Sequence, residues 1–183
     1  MGMNLPSDEA VRRLLDEFNV PEHIRKHSGQ VKKIAVFLGK KLAERGVPVN
    51  LELVEKGALL HDLAKMQSIG GDEVGHSERG GEILAAKGFP ELGRVVGNHG
   101  LGKILRPYGA FELEDKLVYY ADKRVNHDEI VSLAERFAYL KERYGSKSPA
   151  IMADILECEK PCLAIEKEIL NKAKTDSSLT GLR

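Results

Sequence analysis

The stretch "ALLHDLAK", residues 58–65, sets a histidine and an aspartate side by side within a run of small and aliphatic side chains. Neither group favours burial, yet its neighbours demand it. On a helix, at about 100° per residue, Val54, Ala58 and His61 share a face, and Asp62 lies one step around a segment that is apolar on nearly every side. Both side chains are expected to be largely buried, so the chain must supply them with partners.

Outward from this stretch, apolar residues recur every three or four positions with Gly and Pro as punctuation, and alternating strand-like runs are nearly absent. The period is helical and the fold class all-α. Ser7 caps a first helix over 7–18, with Asp8 and Glu9 against its positive end. Pro21 and Gly46 bracket a long second helix, and Asn50 caps a third that is expected to run to about Lys65. Beyond a glycine-rich link, "SIGGDEVG" (68–75), come a helix near 77–87 and one opened by Pro90 that ends near Asn98; residues 100–110 read as a loop. Helices follow at about 112–125 and 127–144. Ser148-Pro149 opens the last helical region, which Pro161 is expected to break near Glu159. The final ten residues, "KTDSSLTGLR", are expected to fray.

At 183 residues the chain is long enough for one domain with a core of its own. The expected division is a flanking helix over 1–20, a core over 21–145, helices over 146–173 completing the same domain, and a tail over 174–183. Its 28 Lys+Arg balance 28 Asp+Glu, so no global positive field gathers a nucleic acid polymer or an anionic membrane, and any anion must be held locally. No stretch approaches the roughly 20 apolar residues that span a bilayer. The N-terminus lacks a basic segment followed by an apolar one, and the expected location is cytoplasmic. Cys158 and Cys162 are separated by "EKP", neither a disulfide framework nor a two-pair zinc spacing, and are expected to be reduced, buried thiols.

Other helices repeat the anomaly. His27 falls in a stripe with Ile24, Val31, Ile34 and Leu38; His76 lines up with Gly80 and Ile83; His99 follows Leu92 and Val96; Asp122 shares a face with Val118 and Val125. Gly80 and Gly81 are poor helix formers and point to a close approach by another helix or a ligand. A single core histidine is ordinarily hydrogen-bonded rather than metal-bound. Six such groups are harder to satisfy, because a buried carboxylate costs several kcal/mol unless paired. The apolar faces offer no Arg or Lys for that pairing, and a metal cation, for which imidazole and carboxylate are suited, is the economical counter-charge.

Taken in order, His27, His61-Asp62, His76, His99 and Asp122, with "HDLAK" (61–65), "HSERGGEIL" (76–84) and "YADKR" (120–124), resemble the HD-domain superfamily of metal-dependent phosphohydrolases over roughly residues 21–145. The resemblance implies a helical bundle with a metal site between its central helices. It implies His27, His61, Asp62 and Asp122 as ligands of a first divalent metal, His76 and His99 as added ligands of a second, and Asp62 as the bridge. That makes two ions per chain, drawn from Fe, Mn, Co, Ni or Mg. The set resembles dinuclear members, symmetrical dinucleoside tetraphosphate hydrolases among them, and departs from the cyclic-di-nucleotide branch, with its further histidine pair and GYP segment.

The implied reaction is hydrolysis of a small nucleotide or related phosphoester or phosphoanhydride by a metal-bridged hydroxide. Two cations about 3.5–4 Å apart activate a shared water and stabilise attacking and leaving oxygens. The lysine of this segment contacts phosphate in resembling proteins, which makes Lys65 a catalytic candidate against a solvated helix-end lysine. Arg124 is either a phosphate clamp or one half of a surface ion pair. Arg79, Lys103 and Arg106 form a candidate anion rim against plain solvation; His23 either orients His27 or lies on the surface, and His127 reads as capping or surface. Two other readings share the ligands: a di-iron oxygenase on the same scaffold, and a metal-binding regulatory module without turnover.

Overall fold

The caps at Ser7 and Asn50 hold in the computed structural model, which describes residues 3–68, 75–105, 111–179 and 182, whereas the Ser148 side chain makes no cap hydrogen bond. Ser7 Oγ accepts from the Ala10 amide at 3.2 Å and opens α1 (Asp8–Glu17). Pro21 precedes α2 (Glu22–Ala43), which is followed by Gly46 at φ +76°. Asn50 Oδ1 accepts from Leu53 N at 3.0 Å at the head of α3 (Leu51–Leu60). Then come α4 (His76–Ala86), α5 (Pro90–Gly97), α6 (Leu113–Lys123), α7 (Leu133–Arg143) and α8 (Pro149–Ala173). Among the described residues the regular structure is helical but for one two-stranded antiparallel hairpin, β1 (Val125–Asn126) and β2 (Glu129–Ile130), so the all-α class stands.

The apolar stripe of α2 is the axis of the core. Val31, Ile34 and Leu38 are fully buried, and α2 packs on α3 and α6, whose Val54, Ala58, Leu117 and Val118 are equally buried. The close approach anticipated at the glycines is a helix contact: a Cβ on Gly81 would meet Gly93 O at 2.6 Å, and one on Gly93 would meet Gly81 O at 2.5 Å. Backbone touches backbone there, which draws the start of α4 against the end of α5.

Three boundaries differ from the sequence reading. α3 ends at Leu60 instead of near Lys65, and Lys65–Ser68 form a 3₁₀ turn, so "HD" sits at a helix exit. The helix expected over 127–144 begins only at Leu133, where Ser132 and Glu135 form a reciprocal capping box; the hairpin precedes it. Residues 101–105 of the expected loop form a 3₁₀ turn, and 106–110 lie outside the described residues.

α8 runs through Pro161 without a break. A proline inside a helix costs roughly 3 kcal/mol. The buried face of Cys158, Cys162, Ile165 and Ile169 spans that point, and each buried aliphatic side chain returns about 1.5–3 kcal/mol. Both cysteines are free and buried as expected, and burial pushes the Cys158 thiol up to about 11. The expected fraying does not extend over 174–179: Leu179 is buried and Ser177 O accepts from Arg124. Among the described residues no helix is long and apolar enough to cross a membrane.

Candidate metal centre

Five segments converge on one point between the central helices. α2 supplies His27, the exit of α3 supplies His61 and Asp62, α4 opens with His76, His99 follows α5, and α6 carries Asp122 near its end. His61, Asp62, His99, Asp122 and His27 are buried, and His76 is half-buried. After Leu60 the chain tightens to i→i−3 bonds, Leu63 N to Leu60 O at 2.9 Å and Lys65 N to Asp62 O at 3.1 Å. Residues three apart then stack, and Lys65 Nζ comes to 2.6 Å from Asp62 Oδ2.

Three of the histidines turn Nδ1 to a backbone carbonyl: His27 to His127 O at 2.7 Å, His61 to Ala58 O at 2.8 Å, His99 to Val96 O at 2.6 Å. A carbonyl only accepts, so each Nδ1 donates and Nε2 faces the centre. There His27 Nε2 lies 3.0 Å from Asp122 Oδ1, and His76 Nε2 lies 3.1 Å from His99 Nε2. His61 Nε2 stands 3.5 Å from Asp62 Oδ2 and 3.6 Å from Asp122 Oδ1 and is buried with no hydrogen-bond partner. The carboxylate of Asp62 is divided, Oδ2 toward His61 and Oδ1 toward His76 at 3.3 Å and His99 at 3.7 Å.

This array is a test of fit. With Nδ1 donating to a carbonyl, Nε2 of His27 faces Asp122, and Nε2 of His61, which has no partner, faces both Asp62 and Asp122, an arrangement that a cation between them would stabilise. The donors fit a metal: His27, His61 and Asp122 form one group, and His61, Asp62 and His99 another, with ligand atoms within 4.8 Å of one another in each. Burial holds the His99 imidazole down to about 4, against the pull of the neighbouring Asp62 carboxylate. Burial works to raise the Asp62 and Asp122 carboxyls, yet His61, His76, His99 and Lys65 around the first, and Lys123, His27 and His61 around the second, keep both well below the usual carboxylate range.

Lys123 is the residue that sequence reasoning missed. It is buried, donates to Asp122 Oδ2 and to His99 O (2.9 Å), and lies 4.7 Å from the centre of the Tyr119 ring. The premise that the apolar faces lack basic partners therefore fails: Lys65 serves Asp62, and Lys123 serves Asp122. The signal available was its place in "LVYYADK", where Leu117 to Asp122 are all buried and leave no solvated side for the lysine.

Arg124 does not reach the centre. It is 1% exposed, and its donors go to Val131 O (2.6 Å), Tyr120 Oη and Ser177 O (2.7 Å), with Glu166 at 3.4 Å. Neither a phosphate clamp nor a surface ion pair describes it; one step around α6 from the buried face, it ties the hairpin, α8 and the terminal segment together. Lys103 is paired with Glu78 at 3.2 Å, Arg79 is half-buried on α4, and Arg106 lies outside the described residues. His127 occupies the hairpin turn at φ +55° in place of a helix start, and its carbonyl orients His27. The turn-forming "NHD" between Val125 and Ile130 was the available signal. His27, Asp62 and Lys65 line a cleft of about 650 Å³, which exposed His23 also lines.

The fold and donor set define an all-α protein with a buried His/Asp centre able to hold a divalent metal. The family described as HD domain matches residues 24–139, a span that includes all six donors, and the chain belongs to the HD-domain family. An uncharacterized protein of Methanocaldococcus jannaschii is 27% identical over 147 residues, covering 74% of this chain and 85% of that one. A tRNA (cytidine(56)-2'-O)-methyltransferase of Picrophilus torridus is 27% identical over 156 residues, covering 79% of this chain and 42% of that one. A protein of the same name from Thermoplasma volcanium is 30% identical over 92 residues, half of this chain and 24% of that one. The chain thus spans less than half of either methyltransferase. No solved structure gives a significant match.

Proposed function

We propose that the protein is a metal-dependent phosphohydrolase acting on a small nucleotide or related phosphoester or phosphoanhydride. The observation that carries this reading is the division of the Asp62 carboxylate, one oxygen toward His61 and the other toward His76 and His99. A carboxylate so divided suits a bridge between two cations. His27, His61, Asp62 and Asp122 would hold the first, and His76 and His99, with Asp62, the second. Such a pair, when bound, supplies an activated water and charge stabilisation for the attacking and leaving oxygens.

The chain's own groups do the rest. Lys65 lines the cleft with its ammonium on Asp62, where a phosphoryl oxygen entering from the cleft meets it. Lys123 holds Asp122 and the backbone of His99, and so keeps one donor of each set in place. The carbonyls of His127, Ala58 and Val96 keep the imidazole protons on the outer nitrogens. The two methyltransferase-named relatives contain a segment like this one within longer proteins, and a nucleotide-type substrate accords with that company.

The test is metal analysis of protein purified without chelator, then phosphate release across a nucleotide panel with Mn, Fe, Co, Ni and Mg in the absence of oxygen. Anaerobic phosphate release is the expected result. Substrate-dependent oxygen uptake with a mixed-valence iron signal would assign the site to an oxygenase, and full metal loading without turnover on any substrate would make it a regulatory module.

A further inference from the structure

The cleft that reaches Asp62 and Lys65 has a second wall of different chemistry. It is formed by His127 in the hairpin turn, Tyr139 on α7 and Tyr144 just beyond that helix. Tyr139 stands edge-to-face with both neighbours, its ring centre 5.6 Å from His127 at 78° and 6.3 Å from Tyr144 at 81°. These are the separations and angles of interacting aromatic pairs, so the three rings form one edge-to-face cluster lining the cleft, with Lys147 Nζ 5.4 Å from the Tyr144 ring centre. The Arg136 guanidinium, also in the cleft, lies 5.6 Å from the Tyr139 ring and donates to Asn126 Oδ1 at 2.9 Å, which ties α7 to the hairpin.

Nothing in the metal chemistry uses these rings, and although Tyr139 is half-buried against the core, packing does not account for His127 and Tyr144. Tyr144 is 42% exposed and His127 is exposed, whereas the other described tyrosines, Tyr119 and Tyr120, are fully buried. The chain has no tryptophan and only five tyrosines, so solvent-facing rings gathered in the cleft that opens on the catalytic lysine are not a by-product of aromatic abundance.

We infer that the His127–Tyr139–Tyr144 wall is a nucleobase-stacking subsite, which makes the substrate a nucleoside phosphate with its base on this wall and its phosphate at Lys65. Flat π-faces stack on aromatic side chains with little regard to base identity, so this subsite selects for the presence of a base rather than for one base. The inference rests on the phosphohydrolase reading only for where the phosphate lies. A cleft of about 650 Å³ is within the usual range for small-molecule sites and holds base, sugar and phosphate together.

Calorimetric titration of the full chain with adenosine, guanosine, cytidine and uridine monophosphates, against ribose phosphate as the base-free control, tests this, with phosphate release followed separately. The wild type is expected to prefer every nucleoside monophosphate over ribose phosphate by about tenfold or more, one stacked base being worth that factor. Tyr144→Ala is expected to lower this ratio about tenfold, and Tyr144→Phe, which keeps the ring, to hold it. Equal affinity for ribose phosphate and the nucleotides, or an unchanged ratio in Tyr144→Ala, overturns the subsite even if phosphate release is robust. A base preference that depends on the Tyr144 ring, with no phosphate release under any metal, leaves the subsite standing and overturns the hydrolase reading.

Discussion

The backbone carbonyl of His127, at the tip of the hairpin, lies 2.7 Å from Nδ1 of His27, one hundred residues earlier in the chain. The contact fixes the proton on Nδ1 and turns Nε2 toward Asp122. Only the backbone of His127 does this, from φ +55°. His127→Gly adopts that φ without strain and is expected to retain metal affinity, whereas His127→Pro, locked near −65°, displaces the carbonyl. Losing such an outer hydrogen bond weakens metal binding about 10–100-fold. Competition titration with a chromogenic chelator measures both; equal affinities would show that the carbonyl does not orient His27.

Asp62 and Lys65 share one contact but should separate in experiment. Asp62→Ala removes the carboxylate between the two donor groups and is expected to lower metal content and turnover together. Lys65→Ala leaves every donor in place. Losing one charge-assisted hydrogen bond to phosphate, worth about 1.5–3 kcal/mol, should lower kcat/KM about 10- to 100-fold at unchanged metal content. Elemental analysis beside steady-state kinetics distinguishes them, and metal loss in Lys65→Ala would make it a structural partner of Asp62.

Lys123 is expected to matter most when the metal is gone. Lys123→Met leaves Asp122 buried without its ammonium and His99 O without a donor. Breaking a buried pair from one side costs about 3–5 kcal/mol. A bound cation compensates Asp122 independently, so urea melts should show a larger loss in chelator-treated protein than in metal-loaded protein. Equal losses in the two forms would mean that Lys123 stabilises the fold without reference to the centre.

How far the sequence could be read follows from which groups carry the information. Donors carried on helix faces were legible, because the apolar residues of the same stripe fix their direction: Val31, Ile34 and Leu38 point His27 inward, and Val118 does the same for Asp122. Backbone contributions were not. The carbonyl of His127 depends on a hairpin turn, and a two-residue strand leaves almost no alternation to read. Lys123 and Arg124 were not legible for another reason: charges flanking Asp122 near a helix end carry no sign of their direction, and only packing of α8 and the terminal segment over α6 shows that both are enclosed. Pro161 misled because local propensity was outweighed by a buried face.

Arg124 accordingly answers to stability and not to turnover. Arg124→Ala strips donors from Val131 O, Tyr120 Oη and Ser177 O. A buried acceptor left unpaired costs about 1–3 kcal/mol, but Val131 is half-buried, Ser177 is exposed and Tyr120 Oη keeps Glu166, so a loss of about 1–3 kcal/mol is expected, with kcat/KM per folded molecule unchanged. Denaturant midpoints and kinetics on the same preparation check this. A fall in kcat/KM without loss of stability would restore the phosphate role.

The metal count tests the centre itself. His76 and His99 bring Nε2 atoms within 3.1 Å of each other on the Oδ1 side of Asp62, away from the side that His61 faces. If they serve a second ion, wild type binds close to two metals per chain, and His76→Ala/His99→Ala keeps about one, held by His27, His61, Asp62 and Asp122. Hydrolysis in that variant should fall by orders of magnitude, since one cation cannot stabilise attacking and leaving oxygens together. If instead the two histidines contact phosphate beside a single ion, both proteins bind about one metal and only substrate affinity changes. Titration of the metal-free protein, with anomalous scattering to locate the ions, separates these cases: one ion in fully loaded wild type rules out the paired centre, whereas two ions with the second lost alongside His76 and His99 assign them to it.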